Sequence, residues 1–301
     1  MNHNIVNVAF PASCGELVQG IVGNKRFVCS YAIDCFTYIT VRINEHLDEP
    51  LTLPTKSAKA VELVKEMSGG VSNDLWDQLD IQIDNRIPYE KGMGSSTADL
   101  AALSIALFEL FEIPWTPQII IQLLTRIEAT DSIVYPELSM MNPDTGEKMA
   151  YFKQDQYYAV ACLIPEENIY TQGIISKYAE RKDNQLAYED LFKQSLVAFE
   201  HSSIDELINV AEISAMLNES IVTKPYLKAL LKLSRHEGIK GLNISHTGTV
   251  IGIIYDDATI SKNCVSQLVR TIDSEEYYQI QHYKMILAQP IIEKVLLRER
   301  R

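Results

Sequence analysis

The sequence predicts an α+β protein built in two halves, and three observations carry that reading. β-prone runs crowd the first third of the chain, helical spacing fills much of the second half, and strands and helices follow one another without strict β-α-β alternation. A chain of 301 residues accommodates one large domain or two ordinary ones, and either buries a substantial core. The boundary is expected just before the apolar run Tyr157 to Ile164, giving halves 1–155 and 156–301. No internal repeat or low-complexity linker separates them, so the halves are expected to share an interface.

Ile5 to Ala12 and Phe27 to Ile33 are apolar and β-prone, and the second follows a turn at Gly23-Asn24. Thr37 to Ile43 alternates aliphatic residues with threonine and aromatics, as a half-buried strand does. Ser57 to Met67 spaces Val61, Leu63, Val64 and Met67 like a short helix, ended by Gly69-Gly70. Leu79, Ile81 and Ile83 alternate with polar residues in a strand from Gln78 to Asp84. A helix over Leu100 to Leu110 ends before Pro114 and Pro117, and a second is expected from Gln118 to Ala129. A loop with Pro136, Pro143 and Gly146 leads into the strand Tyr157 to Ile164. Helices are then expected at Leu186 to His201, Ile204 to Asn218 and Pro225 to His236. Two β-prone runs flank Gly248, and Tyr277 to Leu287 reads as a last strand.

Composition removes several functional classes. A formal charge of -13, with the only dense basic run at Arg298 to Arg301, argues against a nucleic-acid partner. No apolar run approaches the roughly 20 residues that cross a bilayer, so no membrane partner is expected. The N-terminus lacks the basic and apolar regions of a signal peptide. Five scattered cysteines (Cys14, Cys29, Cys35, Cys162 and Cys264) make no disulfide framework and no C-x-x-C pair. A reduced cytoplasmic protein follows.

The densest chemical signal is P-Y-E-K-G-M-G-S-S-T-A-D, Pro88 to Asp99, between a strand and a helix. Gly92 and Gly94 let the backbone turn sharply and approach an anion, and the first N–H groups of the helix point outward with the macrodipole behind them. Ser95 or Ser96 is expected to cap that helix, with Asp99 completing an S-x-x-D box. A P-loop would place Gly-Lys-Ser/Thr at its end, whereas Lys91 precedes both glycines; a dinucleotide fingerprint would have a third glycine where Thr97 stands.

Three further segments carry candidate chemistry. In R-I-E-A-T-D-S-I-V-Y-P, Arg126 to Pro136, Glu128 and Asp131 share a face if the helical turn persists. One carboxylate would hold Mg²⁺ and the other would orient or deprotonate an attacking hydroxyl. In G-L-N-I-S-H-T-G-T-V-I-G-I-I, Gly241 to Ile254, a tight turn offers N–H groups and hydroxyls, and His246 reads as structural. In F-P-A-S-C-G-E-L-V-Q-G, Phe10 to Gly20, Cys14 reads as core, while Glu16 at a buried strand end calls for a cation, from the protein or from a ligand ammonium.

In this order the segments resemble the GHMP kinases, the superfamily of galactokinase, homoserine, mevalonate and phosphomevalonate kinases. Pro88 to Ala98 matches that family's P-x-x-x-G-x-G-S-S-x-A motif without gaps; Phe10 to Gly20 resembles its first motif and Gly241 to Ile254 its third. Within the superfamily the blocks P-A-S-C-G-E-L-V-Q-G, K-G-M-G-S-S-T-A-D, I-E-A-T-D-S and G-L-N-I-S-H-T-G-T-V-I-G look most like the L-threonine kinases of adenosylcobalamin synthesis. The resemblance implies a ribosomal-protein-S5-like first half, a ferredoxin-like second half, and an active site between them.

It also implies ATP and Mg²⁺ as cofactors and phosphorylation of the L-threonine hydroxyl to O-phospho-L-threonine. Lys91, Gly92, Met93, Gly94, Ser95, Ser96 and Thr97 would bind ATP, and Ser96 and Glu128 would hold the metal. Asp131 would accept the hydroxyl proton, Glu16 would pair with the threonine ammonium, and Thr247 and Gly248 would line the junction of phosphate and substrate. None of the four motifs offers an obvious arginine for the substrate carboxylate. The alternatives are a GHMP kinase for homoserine or another small amino alcohol, and a nucleotide-binding sensor of the same fold without catalysis. A monomer or homodimer is expected.

Overall fold

A long β-hairpin organises the molecule. β1 (Ile5–Val22) and β2 (Lys25–Ile43) pair antiparallel from Ile5↔Arg42 to Val22↔Lys25 across the Gly23-Asn24 turn. The computed structural model describes residues 5–45, 52–166 and 185–295. β2 runs unbroken where two strands were expected. Pro11 pairs with Phe36 but Ala12 with Ile33, so Asp34 and Cys35 form a bulge instead of a turn. Pro11 has no N–H for a central ladder, which accounts for a register shift beside it. The register shifts twice more, between Ser13 and Glu16 and between Glu16 and Val18. Bulges re-aim side chains, and these sit where the candidate site begins.

β3 (Leu79–Asn85) pairs with β2. Around this end of the hairpin lie α1 (Thr55–Met67), the short α2 (Asn73–Asp77), α3 (Ser95–Leu110) and α4 (Pro117–Thr125). α3 buries thirteen of its sixteen residues, and a helix apolar on every side belongs in the core. Its alanines let β1, β2 and α1 approach, while Leu100, Leu103, Leu107 and Phe108 each contribute about 1.5–3 kcal/mol by leaving water. α4 ends at Thr125, four residues before the end expected from the sequence; Arg126 caps it, and a 3₁₀ turn follows at Ser132–Val134.

β4 (Leu138–Met141) and β5 (Lys148–Phe152) form a hairpin where a loop was expected. β4 is buried on both faces, so it lacks the alternation that marks a strand in sequence. β6 (Ala159–Pro165), α5 (Gln185–Glu200), α6 (Ile204–Asn218), β7 (Ile239–Ile244) and β8 (Ile251–Tyr255) follow the expected order. The helix expected from Pro225 to His236 is shorter, α7 (Leu227–Leu230) running into a 3₁₀ turn at Leu231–Arg235. α8 (Lys262–Arg270) was not foreseen; it buries only Val265 and Val269, too narrow a stripe to stand out. β9 (Tyr278–Ile286) and β10 (Ile291–Val295) complete the described chain.

The ten strands among the described residues join one sheet in the order β10-β1-β7-β8-β6-β9-β2-β4-β5, with β3 on β2 and β1 also on β2. The later strands meet the hairpin through Glu16↔Ile244 on one side and Ala32↔Ile286 on the other. No helix among the described residues is long and apolar enough to cross a membrane.

Candidate active site

Three chain segments meet through backbone contacts too close for any side chain larger than hydrogen. A Cβ on Gly92 would lie 1.9 Å from Ser245 Oγ, and one on Gly248 would lie 2.2 Å from the carbonyl oxygen of Lys91. That carbonyl accepts the N–H groups of Thr249 and Val250 at 3.0 and 3.3 Å, while the Met93 carbonyl accepts the N–H of Ser13 at 3.0 Å. The loop before α3 is thus bound on one side to β1 and on the other to the turn between β7 and β8. The Met93 side chain is in the core, and Lys91 Nζ donates to the Glu166 carbonyl at 2.8 Å.

Gly94, with φ of +69°, is the N-cap of α3, and no side chain caps that end. The expected S-x-x-D box is therefore absent. Ser95 Oγ accepts from Asn85 Nδ2 at 2.8 Å, and Asp99 accepts from Thr37 Oγ1 at 2.6 Å and from Asn85 at 2.8 Å. These side chains tie the helix to β2 and β3 instead of closing its end. The first intrahelical bond is Ala98 N–H to the Gly94 carbonyl, so the N–H groups of Ser95, Ser96 and Thr97 precede the ladder. A bare N-terminus capped by glycine is suited to an anion.

A cavity of about 420 Å³ opens at this terminus. Gly92, Gly94 and Thr97 line it from the loop and α3, Glu128 and Asp131 from the segment after α4, and Glu16 and Thr247 from the first and third motifs. Because α4 has already ended, Glu128 and Asp131 face the same space through a loop and not through a shared helical face. Gly248 packs against Gly92.

Two carboxylate arrangements share the cavity. Glu128 accepts from the Ser96 hydroxyl and from Lys56 Nζ at the start of α1. The hydroxyl and carboxylate are hard oxygen donors that fit Mg²⁺, and an ammonium already seated on Glu128 shows that the position attracts a cation. Asp131 sits deeper. Its Oδ2 accepts from Ser13 Oγ at 3.1 Å, its Oδ1 from the N–H of Ser132 at 2.8 Å, and its own N–H donates to Thr97 Oγ1 at 3.2 Å. Removal from water, reinforced by the negative charge of Glu16, pushes the Asp131 carboxyl up to about 7.

Glu16 is held from behind. Its Oε2 accepts the backbone N–H of His246 at 2.7 Å and faces His246 Nδ1 at 3.1 Å, while His246 Nε2 meets Ser214 Oγ at 2.7 Å. His246 is buried and structural, as its place in a turn suggested. Lys224 is also buried; desolvation lowers its ammonium to about 8, and the charges of Glu16 and Glu219 oppose that shift. The cation called for beside Glu16 is thus partly supplied by the protein, and the carboxylate still reaches the cavity.

Residues 55–134 match the family model described as the GHMP kinases N-terminal domain. Over 96% of the chain and 98% of the other, the fold superposes on a homoserine kinase from Cytophaga hutchinsonii, with a TM-score of 0.64 at 16% identity. The chain has the GHMP kinase fold. It resembles the L-threonine kinase of Salmonella typhimurium, 27% identical over 258 residues and 84% of each chain. It also superposes on the MDDEF structure, solved with MVAPP, AMPPCP and magnesium, with a TM-score of 0.67 at 14% identity over 98% of this chain and 99% of that one.

On this GHMP kinase fold the structure adds cavity residues that motif reading did not single out: Lys56, Gln19 and Arg26. Lys56 lies in the first turn of α1, one residue before the helix start expected from the sequence, and Arg26 belongs to the Lys25-Arg26 pair after the hairpin turn. Neither carries a local signal, because each is brought to the cavity by pairing or packing distant in sequence.

Proposed function

We propose that this protein is an ATP-dependent kinase that transfers the γ-phosphoryl group to the hydroxyl of L-threonine, giving O-phospho-L-threonine for adenosylcobalamin synthesis. The observation that carries the reading is the placement of Asp131: a carboxyl poised near neutrality in the same cavity as the uncapped N-terminus of α3. A general base works best with a pKa near the working pH, and a positioned one contributes about 10²–10⁴ in rate. The likeness to the Salmonella L-threonine kinase supports the choice of acceptor.

The residues divide the work. The N–H groups at Gly92 to Thr97 bind and orient the triphosphate, and the closely packed glycines keep that bend rigid. Lys56 adds positive charge at its rim. Ser96 and Glu128 would hold Mg²⁺, which would offset charge on the phosphate oxygens. Glu16 pairs with the substrate ammonium. That pairing also cancels the charge that helps to raise Asp131, so acceptor binding favours the ionised carboxylate that takes the hydroxyl proton. Thr247 borders the space between phosphate and acceptor. We also take residues 156–301 as a ferredoxin-like half, because β6, β7, β8 and β9 lie in the order β7-β8-β6-β9 of a split β-α-β-β-α-β unit. The setting is taken as cytoplasmic.

Incubation with ATP, Mg²⁺ and L-threonine, followed by ³¹P NMR, is expected to show the phosphomonoester of threonine. A second reading, homoserine as acceptor, is supported by the shared fold of the Cytophaga homoserine kinase. Faster turnover of homoserine than of threonine in a substrate panel would select it.

A further inference from the structure

We propose that Arg26 binds the α-carboxylate of an amino-acid acceptor, so that the cavity recognises carboxylate, ammonium and hydroxyl at Arg26, Glu16 and Asp131 respectively. The inference rests on the kinase reading above and answers what the motifs left open. Arg26 is the second residue of β2 and pairs with Ile21. Val28, two residues on and therefore on the same face of the strand, lines the cavity too, opposite Gln19 in the register. The Arg26 side chain is 22% exposed, so it is largely enclosed but open to the cavity.

The guanidinium carries five N–H donors. Among the described residues its one hydrogen bond is from Nη1 to Asp144 Oδ1, 2.7 Å long, in the turn between β4 and β5. Asp144 therefore anchors one edge of the fork and leaves donors for a carboxylate, whose planar geometry the guanidinium matches. Charge points the same way. Glu16, Glu128 and Asp131 make the cavity acidic, and Lys56 already pairs with Glu128 at the phosphate side. Among the described residues that line the cavity, Arg26 is the cation on the acceptor side, where an alcohol without an acid group would leave it with no substrate partner.

The test compares L-threonine with L-threoninamide, which keeps the ammonium and hydroxyl but loses the negative charge. Wild-type protein is expected to prefer L-threonine by about 10- to 100-fold in kcat/KM, the range for a hydrogen-bonded charge. In Arg26→Met the preference should collapse to within about threefold, with the KM for ATP unchanged. Arg26→Lys should recover part of it. Asp144→Asn breaks the same ion pair but keeps the guanidinium, so it should retain the preference. A full preference in Arg26→Met, with or without a raised KM for ATP, would overturn the assignment. So would an Asp144→Asn variant that loses the preference as completely, since Arg26 would then act only by holding the turn. If the wild type uses L-homoserine and not L-threonine, the threonine reading fails alone, and Arg26 is judged on homoserine against its amide. If no amino acid is phosphorylated, both fail.

Discussion

The two walls of the cavity are built on opposite principles. The wall proposed to hold phosphate, Gly92 to Thr97, is backbone: glycines at closest approach, N–H groups at a helix start, and carbonyls tied to β1 and to the β7–β8 turn. The wall proposed to hold the acceptor is side chains: Glu16 from a bulged strand, Arg26 from the partner strand, and Asp131 from the loop after α4. Backbone chemistry tolerates little change of sequence, because the geometry itself excludes other residues. Side-chain chemistry can be retuned by one substitution without touching the fold.

The largest effect expected on the acceptor wall is that of Asp131→Asn. Turnover should fall by about 10²–10⁴ while the KM for ATP stays within about threefold, because only the base is lost. Steady-state kinetics checks it; full turnover would remove Asp131 from the chemistry. On the phosphate wall the matching change is Gly248→Ala. Its methyl must displace backbone at Lys91, so both stability and nucleotide affinity should drop, the former by about 1–3 kcal/mol in thermal unfolding. A stable variant with normal ATP affinity would show that the loop is not held as described.

Between the walls, Ser96→Ala should raise the Mg²⁺ concentration for half-maximal rate by about tenfold, and Ser95→Ala should not, since Ser95 is committed to Asn85. Equal effects would erase the distinction between neighbouring serines. Smaller still is a pH effect. As a base, Asp131 must be ionised, so kcat/KM should rise with pH to a plateau above about 7, and Glu16→Gln should move that rise to lower pH. Stability runs the other way. Asp131 is protonated in the fold up to about 7 but ionised in the unfolded chain from about 4, so its ionisation opposes folding as pH rises through that interval. Asp131→Asn should therefore be more stable than wild type at pH 8 by about 1–2 kcal/mol and equal at pH 4, measured by thermal unfolding.

The same contrast governs what could be read from the chain. The phosphate loop is contiguous, so its glycines and the helix after it were legible at once; α6, Ile204–Asn218, was legible to the residue because its apolar period is regular. The β4–β5 hairpin and α8 were not, since a strand buried on both faces has no alternation and a helix with two buried valines has almost no stripe. The N-cap was misread because serines are good caps, yet here Ser95 and Asp99 serve β2 and β3 while Gly94 takes the left-handed conformation. Arg26 and Lys56 were invisible because strand pairing and helix packing, not local sequence, bring them to the cavity, where Lys56 meets Glu128.

A structure of the protein with AMPPCP, Mg²⁺ and L-threonine tests the central claim most directly. The division into two walls predicts the β- and γ-phosphates within hydrogen-bond reach of the N–H groups from Gly92 to Thr97, with the threonine hydroxyl between Asp131 and the γ-phosphate. A triphosphate bound elsewhere, with Gly92 to Ser96 facing bulk solvent, would contradict it.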